Sequence, residues 1–354
     1  MNAALSKARR AQGEIAGMAK LLDAKLDLAA QLEVLTLEGL TTSAIEGEKL
    51  NPDSLRSSIA RRLGLPTGGL PRPSREVDGL VDLLLDATQR YDQPLTLKRL
   101  SAWQAALFPT GRSGLLKIRV GALRGQAPMQ IVSGPIGRER VHYEAPPRSR
   151  LGTDMRIFLT WFNHPPVELD GLIRAGISHA WFEVLHPFED GNGRVGRALL
   201  DMAMAQDERR SMRMYSLSAQ FMEKRDAYYA ALGQISAGDL DITPWLVWFL
   251  VQVESAMQAS ESLVGALVLK AQFWVAHAQS DLNERQRKAL NRMLDAEPVG
   301  FEGGMTNGKY ASLTKASAAT AQRDLSGLVE AGCLVLVGKG RGARYELRLD
   351  RGRR

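Results

Sequence analysis

The chain has 354 residues, 45% of them hydrophobic, with one cysteine and a formal net charge of +7. That is enough apolar material for one large core and a second, smaller one, and it excludes a wholly disordered chain. The lone Cys333 excludes an internal disulfide framework and fits a reducing compartment; the opening MNAALSKARRAQGEIAG lacks a signal-peptide core, and the longest apolar run, WLVWFLV from Trp245, is far shorter than the ~20 residues that span a bilayer, so a cytoplasmic protein without a membrane partner is expected.

In chain order, residues 1–46 read as helix, with Leu28, Leu32, Leu35 and Leu40 near helical spacing. Gly47 can end that helix in a left-handed conformation. In NPDSLRSSIARRLG, Asn51 is a candidate N-cap, Pro52 a first-turn residue and Gly64 a terminator. A Gly/Pro-rich loop follows, then helical segments to about Phe108. From Gly121 to Pro147 the helical pattern lapses, and MQIVSGP with RVHYE predicts a β-hairpin. Helical spacing returns with Ile173, Ile177, Ala180 and Val184, again from about Arg194, and onward to about Ala278. In the last 70 or so residues, NERQRKALNRML is a helix and NGKYASLTKASAATAQRDLSGLVEAG reads as helix, turn, helix. The strands CLVLVG and RYELRL then flank a KGRGA tip, which together is the order of a winged helix. The expected fold is mainly α: N-terminal helices over 1–65, a helical core with a small hairpin over 66–278, and a winged helix over 281–350.

Between two of these helices lies HPFEDGNGRVGR, His186 to Arg197. Pro187 stops the preceding helix. Gly191, Asn192 and Gly193 tolerate positive φ, so successive N–H groups can converge as an anion nest at the start of the next helix. Arg194 and Arg197, three apart, share a face of its first turn. Such a site suits a polyphosphate, which commonly arrives with Mg²⁺ held by one or two carboxylates. Asp190 is the candidate ligand, and His186, titrating near neutrality, the candidate general base.

The stretch matches HPFx(D/E)GNGRxxR at every specified position, and the chain thereby resembles the Fic (Fic/Doc) family. The resemblance implies transfer of AMP from ATP to Ser, Thr or Tyr hydroxyls of target proteins, the chain itself included. It gives His186 as base, Asp190 as Mg²⁺ ligand, and Gly191, Asn192, Gly193, Arg194, Gly196 and Arg197 as the ATP phosphate site. Relatives that transfer phosphate carry Lys where this chain has Gly193. MQIVSG resembles the family's target-docking flap, which implicates Ile131 and Val132 in strand addition, and YYAAL resembles a segment near the nucleotide base, which implicates Tyr229.

Glu46 stands at a helix end where the macrodipole disfavours an anion. Thr42, Glu46 and Gly47 fit the inhibitory motif (S/T)xxxE(G/N) of one class of the family, in which the Glu pairs with the second motif arginine, here Arg197, and displaces the ATP γ-phosphate. A de-AMPylating enzyme using the same site is one alternative. A DNA-binding regulator acting through Lys315, Arg323, Lys339 and Arg341 is the other, although the helix before the strands is thin in base-reading residues. A homodimer is left open. The near P-loop at Gly303–Lys309 has Tyr310 where Ser or Thr is required and is rejected. His142, His164, His179 and His277 lack metal-ligand spacing and are expected to be structural.

Overall fold

The structure, a computed structural model, describes residues 1–20, 24–65, 67, 71–133, 140–211, 213–237, 241–277, 279–296, 300–338 and 343–349. The chain divides into two compact units, Met1–Ala16 with Leu28–Ser260, and Gly17–Asp27 with Glu261–Arg354.

The first unit is built around α7 (Gly171–Leu185) and α8 (Asn192–Glu208), a helical hairpin joined by the loop His186 to Gly191. Buried side chains occupy nearly every position of α8 from Asn192 to Ala205. A helix buried on all faces is apolar or small at most positions, and ALLDMAMA supplies that except at Asp201, whose buried carboxylate is paired with Arg213. α7 begins at Asp170, whose Oδ1 accepts the Leu172 and Ile173 amides at 2.8 and 3.3 Å. Around the hairpin stand α2 (Ala24–Ile45), α3 (Pro52–Arg62), α4 (Arg75–Gln89), α5 (Leu97–Leu107), α6 (Arg148–Asn163), α9 (Leu217–Glu223) and α10 (Arg225–Ala237). α3 has the predicted cap, Asn51 accepting the Ser54 amide at 2.9 Å, and Gly64 follows it with φ 70°. α1 (Asn2–Ala19) is anchored by Arg9, 2.8 Å from Asp170 and 2.5 Å from Asp207.

The predicted hairpin is present: β3 (Gln130–Ser133) runs antiparallel to β4 (Arg140–Glu144), with an irregularity between Ile131 and Val132. The side chains of Ile131 and Val132, like that of His142, lie outside the described residues. A second hairpin, β1 (Arg112–Ser113) with β2 (Leu116–Lys117), went unread in the sequence. Two-residue strands show no alternation, and only the flanking Gly111 and Gly114 mark the turn.

α11 (Thr243–Ala276) is one continuous helix. The second unit holds α12 (Glu284–Leu294), α13 (Asn307–Thr314), α14 (Ala318–Glu330), β5 (Leu334–Val337) and β6 (Arg344–Leu347) in the order expected from sequence. β5 and β6 pair antiparallel with Leu334 opposite Leu347. Its core gathers Leu290, Met293, Tyr310, Leu325, Leu328 and Leu334. Lys309, the near P-loop lysine, donates to the Glu302 and Gly304 carbonyls at 2.5 and 3.1 Å. Lys339 and Arg341 lie outside the described residues. Among the described residues no helix is long and apolar enough to cross a membrane.

Candidate active site

His186 caps α7 in a left-handed conformation, φ 43° and ψ 59°. The following proline keeps it out of the right-handed helical region, and its N–H still reaches the Phe182 carbonyl at 3.0 Å. Its Nδ1 lies 3.4 Å from the Glu183 carbonyl. With the proton on that nitrogen, Nε2 keeps a free lone pair. Burial lowers the imidazole pKa, with the Glu183 contact opposing and Arg124 assisting, which favours the neutral ring, the form whose lone pair can accept a proton.

The loop is held from outside by the segment 118–125. Arg124, itself buried, receives the loop in its backbone and side chain. Its amide donates to Pro187 O at 2.9 Å, its Nε to His186 O at 2.9 Å, and its guanidinium also reaches Pro146 O. Glu189 accepts the Arg119 and Gly125 amides at 2.8 and 3.1 Å. Gln104 joins Asp190 O at 3.3 Å to the Gly121 amide at 2.7 Å. Phe188 is fully buried, and the Asn192 side chain closes the loop over it by two bonds, 2.9 and 2.8 Å, to the Phe188 amide and carbonyl.

Gly191 has φ 84°, and a Cβ there would come within 2.9 Å of the Phe108 ring. The first bond of the α8 ladder runs from Val195 N–H to Gly191 O at 3.0 Å. The amides of Asn192, Gly193 and Arg194 therefore lie outside the ladder at the positive end of the helix. Asp190 borders this nest: Oδ1 accepts the Gly191 amide at 2.5 Å and Oδ2 the Ser113 hydroxyl. Both loop carboxylates accept hydrogen bonds, Glu189 from the Arg119 and Gly125 amides and Asp190 from Gly191 and Ser113, and of the two it is Asp190 that lies beside the nest. One carboxylate next to a phosphate cradle suits Mg²⁺ carried by a nucleotide, which needs one or two protein oxygens. Among the described residues no group of three His, Cys, Asp or Glu forms a protein-only metal cage.

Both arginines at the start of α8 are taken by the end of α2 and the turn that follows it. Arg197 donates Nε to Thr42 Oγ1 at 2.7 Å, and Nη2 to Thr42 O at 2.9 Å and Glu46 Oε1 at 2.7 Å. Its side chain is 2% exposed against 31% for Glu46. Burial works against its charge, but Glu46 prevails and its pKa is raised. Arg194 Nη1 donates to Glu48 Oε2 at 2.7 Å, and its guanidinium lies 5.1 Å from the centre of the Phe108 ring. A Cβ on Gly193 would fall 2.1 Å from Glu46 Oε1, so that position must be glycine for the carboxylate to sit there.

Beneath the arginines lies a buried layer. His179 joins Gly196 O at 3.0 Å to the Tyr228 hydroxyl at 2.8 Å, and burial drives its pKa to about 3; it is neutral and structural, as expected. Gly196 has no room for a side chain, since a Cβ would meet Glu183 Oε1 at 2.4 Å. That Glu183 oxygen is buried without a partner. Burial raises the Glu183 carboxyl to about 7, Arg197 opposing and Glu46 adding to the shift. Tyr228 is core, whereas Tyr229 is 43% exposed, with its hydroxyl 3.4 Å from Ile45 O and Arg225 over its ring at 5.3 Å.

The structure thus brings together His186, Asp190, the Gly191–Gly193 amides, Arg194, Arg197, Thr42 and Glu46. Sequence reasoning missed Arg124, Glu189, Gln104, Ser113, Glu48 and Glu183; of these Glu189 stood inside a recognised motif and Glu48 and Glu183 close beside one.

Residues 94–204 match the Fic/DOC family model, and residues 1–65 match a domain of unknown function, DUF4172. A probable protein adenylyltransferase, aq_aa38 of Aquifex aeolicus, is 30% identical over 96 residues, 27% of each chain. The protein adenylyltransferase fic-1 of Caenorhabditis elegans is 30% identical over 233 residues, 61% of this chain and 39% of that one. The chain therefore spans well under half the length of these curated relatives. Among solved structures, a Fic family protein from Desulfovibrio desulfuricans G20 aligns with TM-score 0.56 and 19% identity over 99% of this chain and 97% of the other. A Fic domain-containing signalling protein from Bacteroides thetaiotaomicron aligns with TM-score 0.54 and 16% identity over 75% and 97%. The matched segment encloses the whole stretch from His186 to Arg197, so the chain carries a Fic/DOC family domain over residues 94–204, and its fold is similar to that of a solved Fic family protein along nearly its full length.

Proposed function

We propose that this protein is a protein adenylyltransferase that moves AMP from ATP to Ser, Thr or Tyr hydroxyls of target proteins and of itself, and that Glu46 restrains it. The observation that carries the reading is the joint placement of a lone-pair-bearing His186 on the loop and, at the start of α8 that follows it, amides outside the helical ladder and two buried arginines. The acceptor hydroxyl oxygen attacks the α-phosphorus while its proton passes to His186 Nε2. The bond from that phosphorus to the oxygen bridging to the β-phosphate breaks, and pyrophosphate leaves. The amides of Asn192 to Arg194, with Arg194 and Arg197, bind the phosphates and the charge that builds on the leaving group. Asp190 is the residue that would hold Mg²⁺ together with phosphate oxygens, and the ion would supply further neutralisation of the polyphosphate. Gly196 lets Glu183 and Phe182 pack under this floor, and Tyr229 is the half-exposed ring available to the adenine. Ile131 and Val132 lie on the hairpin proposed to align the target segment. The unit containing residues 281–350 is read as a winged helix that recruits or orients partners.

Restraint follows from occupancy. While Glu46 holds Arg197, the γ-phosphate cannot, and ATP lies with its α-phosphate misaligned; a displacement of ~1 Å can cost about 10²-fold in rate. The test is incorporation of label from α- and γ-labelled ATP by the wild type, Glu46→Gly and Glu46→Gly/His186→Ala. Incorporation from α-label only is expected, much faster in Glu46→Gly and lowered about 10²–10⁴-fold by His186→Ala. Incorporation from γ-label would make it a phosphotransferase. AMP-modified product accumulating only because Glu46→Gly no longer removes it would mark a hydrolase.

A further inference from the structure

We infer that Glu48 is a second nucleotide-gating carboxylate, competing with the polyphosphate of ATP for Arg194 as Glu46 does for Arg197. This rests on the nucleotide-transfer reading above and adds a residue to the regulation of the same site.

The two carboxylates are placed by one turn. α2 ends at Ile45, and Gly47 follows Glu46 with φ 82°. The Gly47 amide returns to Ala44 O at 3.0 Å and the Glu48 amide to Ser43 O at 3.0 Å, the paired bonds that close a helix through a left-handed residue. This sets Glu46 and Glu48 on either side of Gly47, opposite two arginines three residues apart on α8. Each carboxylate lies 2.7 Å from its own arginine.

Arg194 is built to receive more than it holds. Its side chain is 7% exposed, its Nε is buried without a partner, and its planar face rests on Phe108. A guanidinium carries five donors, and phosphate oxygens fit its fork. Arg197, by comparison, also bonds Thr42 twice. Glu48 is 44% exposed, so its ion pair is screened and contributes little to folding. Glu48 is therefore a carboxylate that an incoming anion can displace readily. With both pairs closed, the two arginines present no net positive charge to a polyphosphate. To seat its outer phosphates on the two arginines ATP must displace both carboxylates, while AMP, with a single phosphate, need displace neither.

The experiment is calorimetric titration of the full-length wild type, Glu48→Gln, Glu46→Gly and the double variant with ATP and with AMP in the presence of Mg²⁺, with melting temperatures recorded in parallel. Glu48→Gln keeps the side-chain shape and removes the charge. It is expected to tighten ATP about three- to tenfold, to leave AMP unchanged, and to make the double variant bind ATP more tightly than Glu46→Gly alone. ATP binding by Glu48→Gln equal to or weaker than wild type, while Glu46→Gly tightens it, would overturn the inference alone. Equal shifts for ATP and AMP would also overturn it, since Glu48 would then act on the fold of the site. Failure of every variant to prefer ATP over AMP would remove the nucleotide-transfer reading along with it.

Discussion

Glu183 is a carboxylate sealed under the phosphate floor with one oxygen unbonded, and it makes stability depend on pH in a definite direction. Its pKa rises from 4.5 to about 7 on folding, burial being the main cause. Between those values the native protein keeps a proton that the unfolded chain has released. Stability is therefore greatest below pH 4.5 as far as this group is concerned and falls as pH rises towards 7. The full cost, roughly 3 kcal/mol from the shift, is present above pH 7. Glu183→Gln is expected to raise stability at pH 8 by roughly 1–3 kcal/mol and to flatten the slope between pH 5 and 8, measured by urea unfolding at several pH values. An unchanged slope would mean that Glu183 is not the titrating group. At this scale the loop itself was legible: the histidine, glycines and arginines of one short stretch state their chemistry by type and spacing. Arg124, Gln104 and Ser113 were not, because they lie 62 to 86 residues away from their loop partners and work largely through backbone groups. Glu183 reads in the sequence as one polar position in a helix, and only burial gives it a role. The pairing of Glu46 with Arg197, 151 residues apart, was readable through family resemblance and not from either residue alone.

The turn after α2 shows what an element adds. Gly47 lies at φ 82° with open space where a Cβ would stand, so alanine there meets backbone strain and no clash. Gly47→Ala is expected to cost about 1 kcal/mol and to loosen both carboxylates from their arginines, so that incorporation of α-label rises. Gly64 closes α3 in the same way, φ 70° with open space, and is far from these contacts in the chain. Gly64→Ala should therefore lose similar stability in a melt while leaving incorporation at the wild-type rate. If both variants accelerate incorporation, general loosening and not the turn is responsible. The helix ends around these turns were legible from their caps, Asn51 and Gly64 among them, because a cap is a local matter of one side chain and a few amides. The β1–β2 hairpin was not, since four paired residues leave no periodicity to read.

Across the whole molecule, every residue assigned to the nucleotide lies in the first unit, and the second has its own core. Leu325 is fully buried in that core, and Leu325→Ala is expected to destabilise the second unit by roughly 2–5 kcal/mol. Incorporation of α-label by Glu46→Gly should be unaffected by the added substitution at temperatures where the second unit remains folded. Loss of incorporation without unfolding, followed by calorimetry and labelling on the same samples, would show that the chemistry depends on the second unit. The helix order of that unit could be read from the sequence, but its composition could not: it takes Gly17–Asp27 from the start of the chain together with Glu261–Arg354, and no local pattern marks two segments as neighbours when more than 230 residues separate them. That arrangement has a consequence in time. Residues 17–27 leave the ribosome long before the segment that completes their unit, which begins only at Glu261. At about 5–20 residues per second the early segment waits roughly 10–50 s for its partner. The first unit is fully made once Ser260 has emerged, so it can fold during the roughly 5–20 s in which the 94 residues of Glu261–Arg354 are still being added, and the growing chain can hold a finished site while the second unit is still incomplete.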